Sequence, residues 1–296
     1  MNDFKVNGIV LRAAPFKESS AVLTLLTAER GKMAVVAKGV RKVKKSGLYA
    51  QPFSYSEFVL SESKGLPVCR SADLKETFYG LREDMDRLAI GQYLLETSLL
   101  VGEDVNDGGD FLKLLLNSLY LLSHKESGIS PFVVKTVYEL KFAYLCGYGA
   151  DPDLCSDCGK EALYWSFEEG FLCSDCAAST FAVIHPLSPA VKKAMKHILT
   201  TDGIGSYSFK MSEKAFGDLS PLSEKYLEAK TETRFRALEF ISKLGSTSAK
   251  ALKTPPSFLL TLNLSRSLHS SMSIDFLPTA RITAVHKSKL RSLSGT

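Results

Sequence analysis

The sequence predicts an α+β protein in several parts: a small N-terminal β-barrel, an all-helical body, and an insert built on four cysteines. Three observations predict it. Short Val-, Ile- and Leu-rich runs broken by turns fill residues 1–79. From Leu81 the apolar residues recur at three, four and seven, the period of one helix face. Between helical stretches, Asp153–Ala177 carries two C-x-x-C pairs.

In chain order, Phe4–Ala14 and Ala21–Thr27 are the first two strands. Ala28-Glu29-Arg30-Gly31 turns the chain into Met33–Ala37. Phe53–Leu60 alternates in part, Ser61–Pro67 turns, and Val68–Leu74 completes the set. Five short strands suit a small closed barrel, with a sandwich fragment as the alternative. Leu81, Met85, Leu88, Leu95 and Leu99 then mark a helix, with Asp84 and Asp86 on its solvated face. Phe111–Ser123 is a second helix, with Asp110 as its expected N-cap. Ser130-Pro131 opens a third, with Pro at the first position, and Gly147 closes it. Val134, Val137, Leu140 and Tyr144 are its apolar residues.

After the insert, Ser188-Pro189 starts a helix carrying Val191, Met195 and Ile198. The longest late helix is expected to begin at Ser220-Pro221, run through Leu227 and Leu238, and end near Gly245. Pro255-Pro256 breaks the pattern. The Ser- and Thr-rich remainder, with Arg281, Lys287, Lys289 and Arg291, is expected to be a loosely ordered tail. The expected divisions are residues 1–79, 80–150, 151–182, 183–254 and 255–296.

Composition bounds the function. The 296 residues are 45% hydrophobic and 23% charged, which suits a chain that buries a core. The net charge of +5, with a pI near 8.7, is only mildly basic. Any polyanion-binding role must therefore rest on where the charge sits. Six cysteines, four in metal spacing, fit a reducing compartment better than a disulfide framework. Cys69 and Cys146 stand alone in apolar surroundings and are expected to be buried. With no apolar run long enough to span a bilayer and no signal-peptide core, the expected location is the cytoplasm.

Cys155 and Cys158 form one pair, and Cys173 and Cys176 the other. A two-residue gap lets two thiolates converge on one ion, and two such corners complete a tetrahedron. The expected cofactor is one structural zinc in a zinc-ribbon-like insert. Gly159 suits the tight turn after the first pair. Leu163–Phe167, Glu168-Glu169-Gly170 and Phe171-Leu172 spell a hairpin joining the corners. Four thiolates leave no open position for catalysis, and metal binding supplies folding free energy to a segment too small for its own core. A redox dithiol would leave the second pair unexplained. A zinc-dependent nucleobase deaminase is a further reading. His124-Lys125-Glu126 ahead of Cys155 and Cys158 spells H-x-E followed by C-x-x-C. Leu154 stands where that motif has Pro, and the second pair would again have no job.

Charge concentrates in the barrel segment. Arg30, Lys32, Lys38, Arg41, Lys42, Lys44 and Lys45 fall in one short interval, opposed only by Glu29. Gly39 and Ser46-Gly47 flank the densest part, as in a loop between strands. Small barrels bind single strands with a basic groove and stacking aromatics. Tyr49, Phe53 and Tyr55 are near in sequence, although strand aromatics more often serve the core. The alternative is a solvated loop. Phosphate-cradle, nucleophile-elbow and H-E-x-x-H motifs are absent, so no catalytic residues are expected. His185 and His197 stand outside ligand spacing.

Several stretches together carry a resemblance. Gly8-Ile9-Val10-Leu11 opens the first strand, and Phe16-Lys17-Glu18-Ser19-Ser20 precedes the second. Leu26-Thr27 through Gly31 forms the strand-turn motif, and Val36-Ala37-Lys38-Gly39-Val40-Arg41 leads into the basic loop. Glu139-Leu140-Lys141 through Gly147-Tyr148 precedes Cys155, and Leu252-Lys253-Thr254 stands where a closing Leu-Lys-Ser is usual. In this order the chain resembles the RecO family of bacterial DNA repair and recombination mediators, over about residues 4–254. The resemblance implies an N-terminal OB-fold, a helical body and a zinc insert. It implies binding of single- and double-stranded DNA and annealing of complementary strands. The partners it implies are the acidic tail of the single-strand-binding protein, RecR, often RecF, and RecA, whose loading it assists. It places the protein at the nucleoid. A protein-only adaptor stabilised by zinc is the remaining alternative.

Overall fold

The computed structural model describes residues 2–41, 47–103 and 108–241. Lys42, Lys44, Lys45 and everything from position 242 on, including the expected tail and the Leu252-Lys253-Thr254 stretch, lie outside the described residues.

Five strands form a closed barrel in the order β1-β2-β3-β5-β4. They are β1 (Asp3–Phe16), β2 (Ser20–Thr27), β3 (Gly31–Ala37), β4 (Tyr55–Ser61) and β5 (Val68–Glu76). β1 is long enough to pair with both β2 and β4, and a bulge between Val10 and Arg12 bends it between them. β3 meets β5 in the one parallel pairing and closes the ring. Alternate residues point inward, so Val6, Val10, Leu23, Leu25, Val35, Phe58 and Leu60 fill the interior. Cys69 joins them, and burial pushes its thiol up to about 11. Cys146 differs from expectation, being only half-buried beyond the end of its helix.

The helical body comprises α1 (Met85–Ser98), α2 (Gly109–Ser123), α3 (Pro131–Ala143), α5 (Pro189–Thr200) and α6 (Glu213–Thr231), with the short α4 (Ser174–Ser179) inside the insert. Three sequence expectations are corrected. Asp84 is the N-cap of α1, accepting from the amides of Asp86 and Arg87, rather than a solvated face residue. The buried face of α1 is wide and centred on Ile90, Tyr93 and Leu94, with Ala89 and Leu95 at its two edges, while Met85 is exposed. The Leu81–Met85–Leu88–Leu95–Leu99 stripe therefore marks the edge of the inner face and not its centre. Gly108, not Asp110, caps α2. A Cβ at Gly108 would lie 2.3 Å from the Thr27 carbonyl oxygen, and its N–H donates to Ala28 O at 2.9 Å, so the α2 start is pressed onto the barrel's β2–β3 turn.

The late helix also differs. Ser212 caps α6 two turns before Pro221, which sits inside the helix. Thr231 ends it, Glu232 turns left-handed at φ 50°, and a separate helical stretch follows at 236–241. The Glu96 carboxylate on α1 accepts from the Arg236 and Ala237 amides and so caps that last stretch.

α3 carries a buried ion pair. Lys135 Nζ lies 2.8 Å from Glu139 and 2.7 Å from Glu224 on α6. Glu139 is fully buried and also accepts from Tyr93 and Ser223. The network ties α1, α3 and α6 together.

Candidate metal centre and nucleic-acid interface

The insert is a three-stranded sheet in the order β7-β6-β8, flanked by two cysteine corners. β6 (Tyr164–Ser166) and β7 (Gly170–Leu172) are the expected hairpin, with Gly170 at φ 89° in its turn. β8 (Ile184–Pro186) adds a third strand that the sequence did not signal, pairing His185 with Trp165. Ser156 N donates to Phe171 O at 2.7 Å, which stitches the first corner onto the hairpin. Gly159 takes φ 72°, the left-handed turn its position called for.

The Sγ atoms of Cys155, Cys158, Cys173 and Cys176 all lie within 4.8 Å of one another. Cys158 is 3.6 Å from Cys173 and 3.7 Å from Cys176. A tetrahedral zinc with ordinary zinc–sulfur bonds sets its sulfurs about 3.8 Å apart. The geometry therefore fits a closed four-thiolate site. The backbone prepares it, because the Cys158 amide faces the Cys155 sulfur and the Cys176 amide faces the Cys173 sulfur. Each draws the thiol pKa down, Cys155 to about 6. Lys160 bridges to Asp175 at 2.7 Å across the two corners.

His124 is not part of this group. Its Nδ1 lies 2.9 Å from Tyr120 O at the end of α2. Cys155 and Cys158 instead converge with the second pair, so the deaminase arrangement is not assembled among the described residues.

The insert is seated on the helical body by aromatic packing. Trp165, the chain's one tryptophan, is buried with its ring 4.7 Å from Tyr226 of α6. Lys192 of α5 donates to Ala162 O at 2.8 Å. Beside this seat Leu140, Tyr144, Tyr148, Met195 and Leu199 line a shallow apolar groove. Lys230 stands 5.9 Å from the Tyr148 ring centroid. The sequence offered only a weak sign of this groove, the two tyrosines at the end of α3.

The described basic residues divide between the two ends of β3. Arg30 lies over the Phe4 ring at 4.0 Å. Lys32 reaches the α1 end of the body and donates to Leu99 O at 2.7 Å. Lys38 and Arg41 follow β3, about 20 Å away along a seven-residue strand. There Arg41 N donates to Ser19 O at 3.1 Å, and Arg41 Nη1 to Lys17 O at 3.3 Å. Arg41 is thereby fastened to the β1–β2 hairpin tip. Of the aromatics singled out, Phe53 is buried and Tyr49 and Tyr55 are half-buried. Phe16 is exposed at the tip as the last residue of β1, beyond the Ala14 end that the apolar pattern predicts for this strand.

Comparison with known proteins decides the relationship. The family described as Recombination protein O N terminal matches residues 1–78, and Recombination protein O C terminal matches residues 82–239. The chain belongs to the RecO family. It is 32% identical over 250 residues to the DNA repair protein RecO of Acetivibrio thermocellus, covering 82% of this chain and 98% of that protein. It is 30% identical over 247 residues to that of Caldicellulosiruptor saccharolyticus, covering 81% and 98%. With the Bacillus pumilus protein it shares 26% over 248 residues, covering 82% and 94%. The family and these relatives are described as DNA repair and recombination proteins. Among the described residues no helix is long and apolar enough to cross a membrane.

Proposed function

We propose that this chain is a DNA-binding recombination mediator without turnover, acting on single- and double-stranded DNA and annealing complementary strands. The observation that carries the reading is the match to the RecO family over both the barrel and the body. The strand order β1-β2-β3-β5-β4, closed through β1, supports an OB-fold at residues 1–79. The helical body then covers 80–150 and resumes after the insert, whose expected span of 151–182 is extended by β8 to Pro186. The body's expected end at 254 and the tail at 255–296 lie outside the described residues. One structural zinc on Cys155, Cys158, Cys173 and Cys176 would hold the insert folded. The chain's own residues do the rest there, by burying Trp165 against Tyr226.

DNA contact is assigned first to Lys38, Arg41, Lys42, Lys44 and Lys45. Long cations on a loop track phosphates without sequence preference. Arg30 and Lys32 belong to the same proposed set but already have protein partners. The apolar groove at Leu140, Tyr144 and Tyr148, with Lys230 at its rim, supports docking of the single-strand-binding protein's acidic, apolar tail on the body. RecR, RecF and RecA are the further proposed partners, and the nucleoid the proposed place of action.

The test is a salt titration of oligonucleotide binding, together with strand annealing. Each phosphate neutralised on a single strand contributes about 0.7 to the slope of log affinity against log salt. Replacing Arg41, Lys42, Lys44 and Lys45 by Gln lowers the slope by about 1.5–3 and weakens all sequences alike. Equal slopes and affinities for wild type and variant would remove the loop from the interface. An absence of DNA binding and annealing by wild type would leave the protein-only adaptor.

A further inference from the structure

We infer that the β1–β2 hairpin tip is a stacking site for an unpaired base, with Phe16 as the platform and Lys17 and Arg41 as the phosphate clamp beside it. The inference rests on the nucleic-acid reading above and deepens it, by naming the form of DNA that this edge of the barrel selects.

Among the described residues of 1–79, Tyr79 is also exposed, but it follows β5 in the lead to α1, with Arg82 5.7 Å from its ring. The strand aromatics other than Phe16 are turned inward or half-covered. Phe53 and Phe58 are buried, and Phe4, Tyr49 and Tyr55 are half-buried. Phe16 is 40% exposed at the last pairing of the β1–β2 ladder, opposite Ser20. The tip is held rather than loose. Lys17 adopts φ 54°, a left-handed conformation that a residue with a side chain rarely takes. Both Arg41 contacts, to Lys17 O and Ser19 O, clasp that turn from the segment after β3. The clasp costs the chain conformational freedom and leaves an apolar ring in water, so it contributes little to the barrel's own core.

Charge complements the ring. Lys17 Nζ lies 5.4 Å from the Phe16 ring centroid. A phosphate held by that ammonium would carry its own base within reach of the ring. Arg41 reaches the same turn from the segment after β3, and exposed Lys38 precedes it on that segment. A base stacks on an aromatic whatever its identity, because every base has a π-face. Bases in a duplex are already stacked on their neighbours and cannot use the platform. The tip therefore adds affinity for single strands that the cations alone do not provide, and it does so without sequence preference.

The experiment uses the full chain and measures affinity for an oligothymidine and for a duplex of equal length across a salt series. The variants are Phe16→Ala, Phe16→Leu and Phe16→Tyr. Loss of one stacked base lowers affinity by about 5- to 150-fold. The expected result is a loss in that range for the single strand with Phe16→Ala and Phe16→Leu, unchanged duplex affinity, an unchanged salt slope, and recovery in Phe16→Tyr. Phe16→Leu keeps the apolar bulk, so it decides the matter if Phe16→Ala lowers the thermal transition. Wild-type single-strand affinity in Phe16→Leu, or equal loss for single strand and duplex, would overturn the stacking site while leaving the DNA-binding reading intact. No salt-dependent affinity of wild type for either form would overturn both.

Discussion

Glu139 shows how one residue commits a helical body. Its carboxylate has no exposure and four neighbours that matter: Lys135, Tyr93, Ser223 and, through Lys135, Glu224. Removing one partner of such a pair leaves a charge buried without compensation. Glu139→Ala should lower unfolding free energy by about 3–5 kcal/mol, and Lys135→Met with Glu139→Leu should recover much of it. Urea unfolding of the two variants checks both. The same pair carries a pH dependence. Burial pushes the Lys135 ammonium down, but the Glu139 and Glu224 carboxylates outweigh it and hold its pKa above the ordinary 10.5. A raised folded pKa stabilises fully below the unfolded value and is lost as pH rises through the folded one. Wild type should lose stability above about pH 10.5 in excess of Lys135→Met. Parallel alkaline losses in the two proteins would count against the pair.

The insert is the element with the smallest core of its own. Its strands are three residues each, and its own buried cluster is little more than Cys155, Leu172, Cys173 and Ala177. Such a core offsets little of the entropy of ordering the chain, and an ion held by the four thiolates would supply the balance. Metal analysis of reduced protein should return one zinc per chain. Chelation, or Cys158→Ser, should shift Trp165 emission to the red, because the ring leaves its place between Phe171 and Tyr226. The barrel's far-ultraviolet signal should persist. Zinc-free protein with unchanged emission would show that the insert folds without metal.

For the whole molecule, the two ends of β3 have different work. The Arg30–Lys32 end is built into the structure, through the Phe4 ring and the Leu99 carbonyl, beside the place where Gly108 meets the β2–β3 turn. The Lys38–Arg41 end belongs to the hairpin tip. Replacing Arg30 and Lys32 by Gln should therefore lower the thermal midpoint while leaving the salt slope of DNA binding close to wild type. A drop in slope equal to that of the Arg41, Lys42, Lys44 and Lys45 variant would mean that both ends touch phosphate.

What the sequence determined by itself was whatever depends on short-range chemistry. The five strands, the C-x-x-C corners, the left-handed turn at Gly159 and the Ser-Pro helix start at Ser188 follow from neighbours a few residues apart. The order of motifs was enough to point to the family. The tertiary structure alone decided which residues share a surface. Lys32 near the start of β3 and Lys38 just past its end are only six apart in sequence but about 20 Å apart, because an extended chain moves about 3.3 Å per residue. Helix limits were legible where a cap was local, as at Ser188. They were misplaced at α6, where the Ser212 cap and the Thr231 end prevailed over a proline that the interior tolerates. Phe16, Tyr144 and the Lys135–Glu139 pair gained their meaning only from distant partners. No period or spacing along the chain records that Arg41 clasps the turn beside Phe16, or that Glu224 waits on α6 for Lys135.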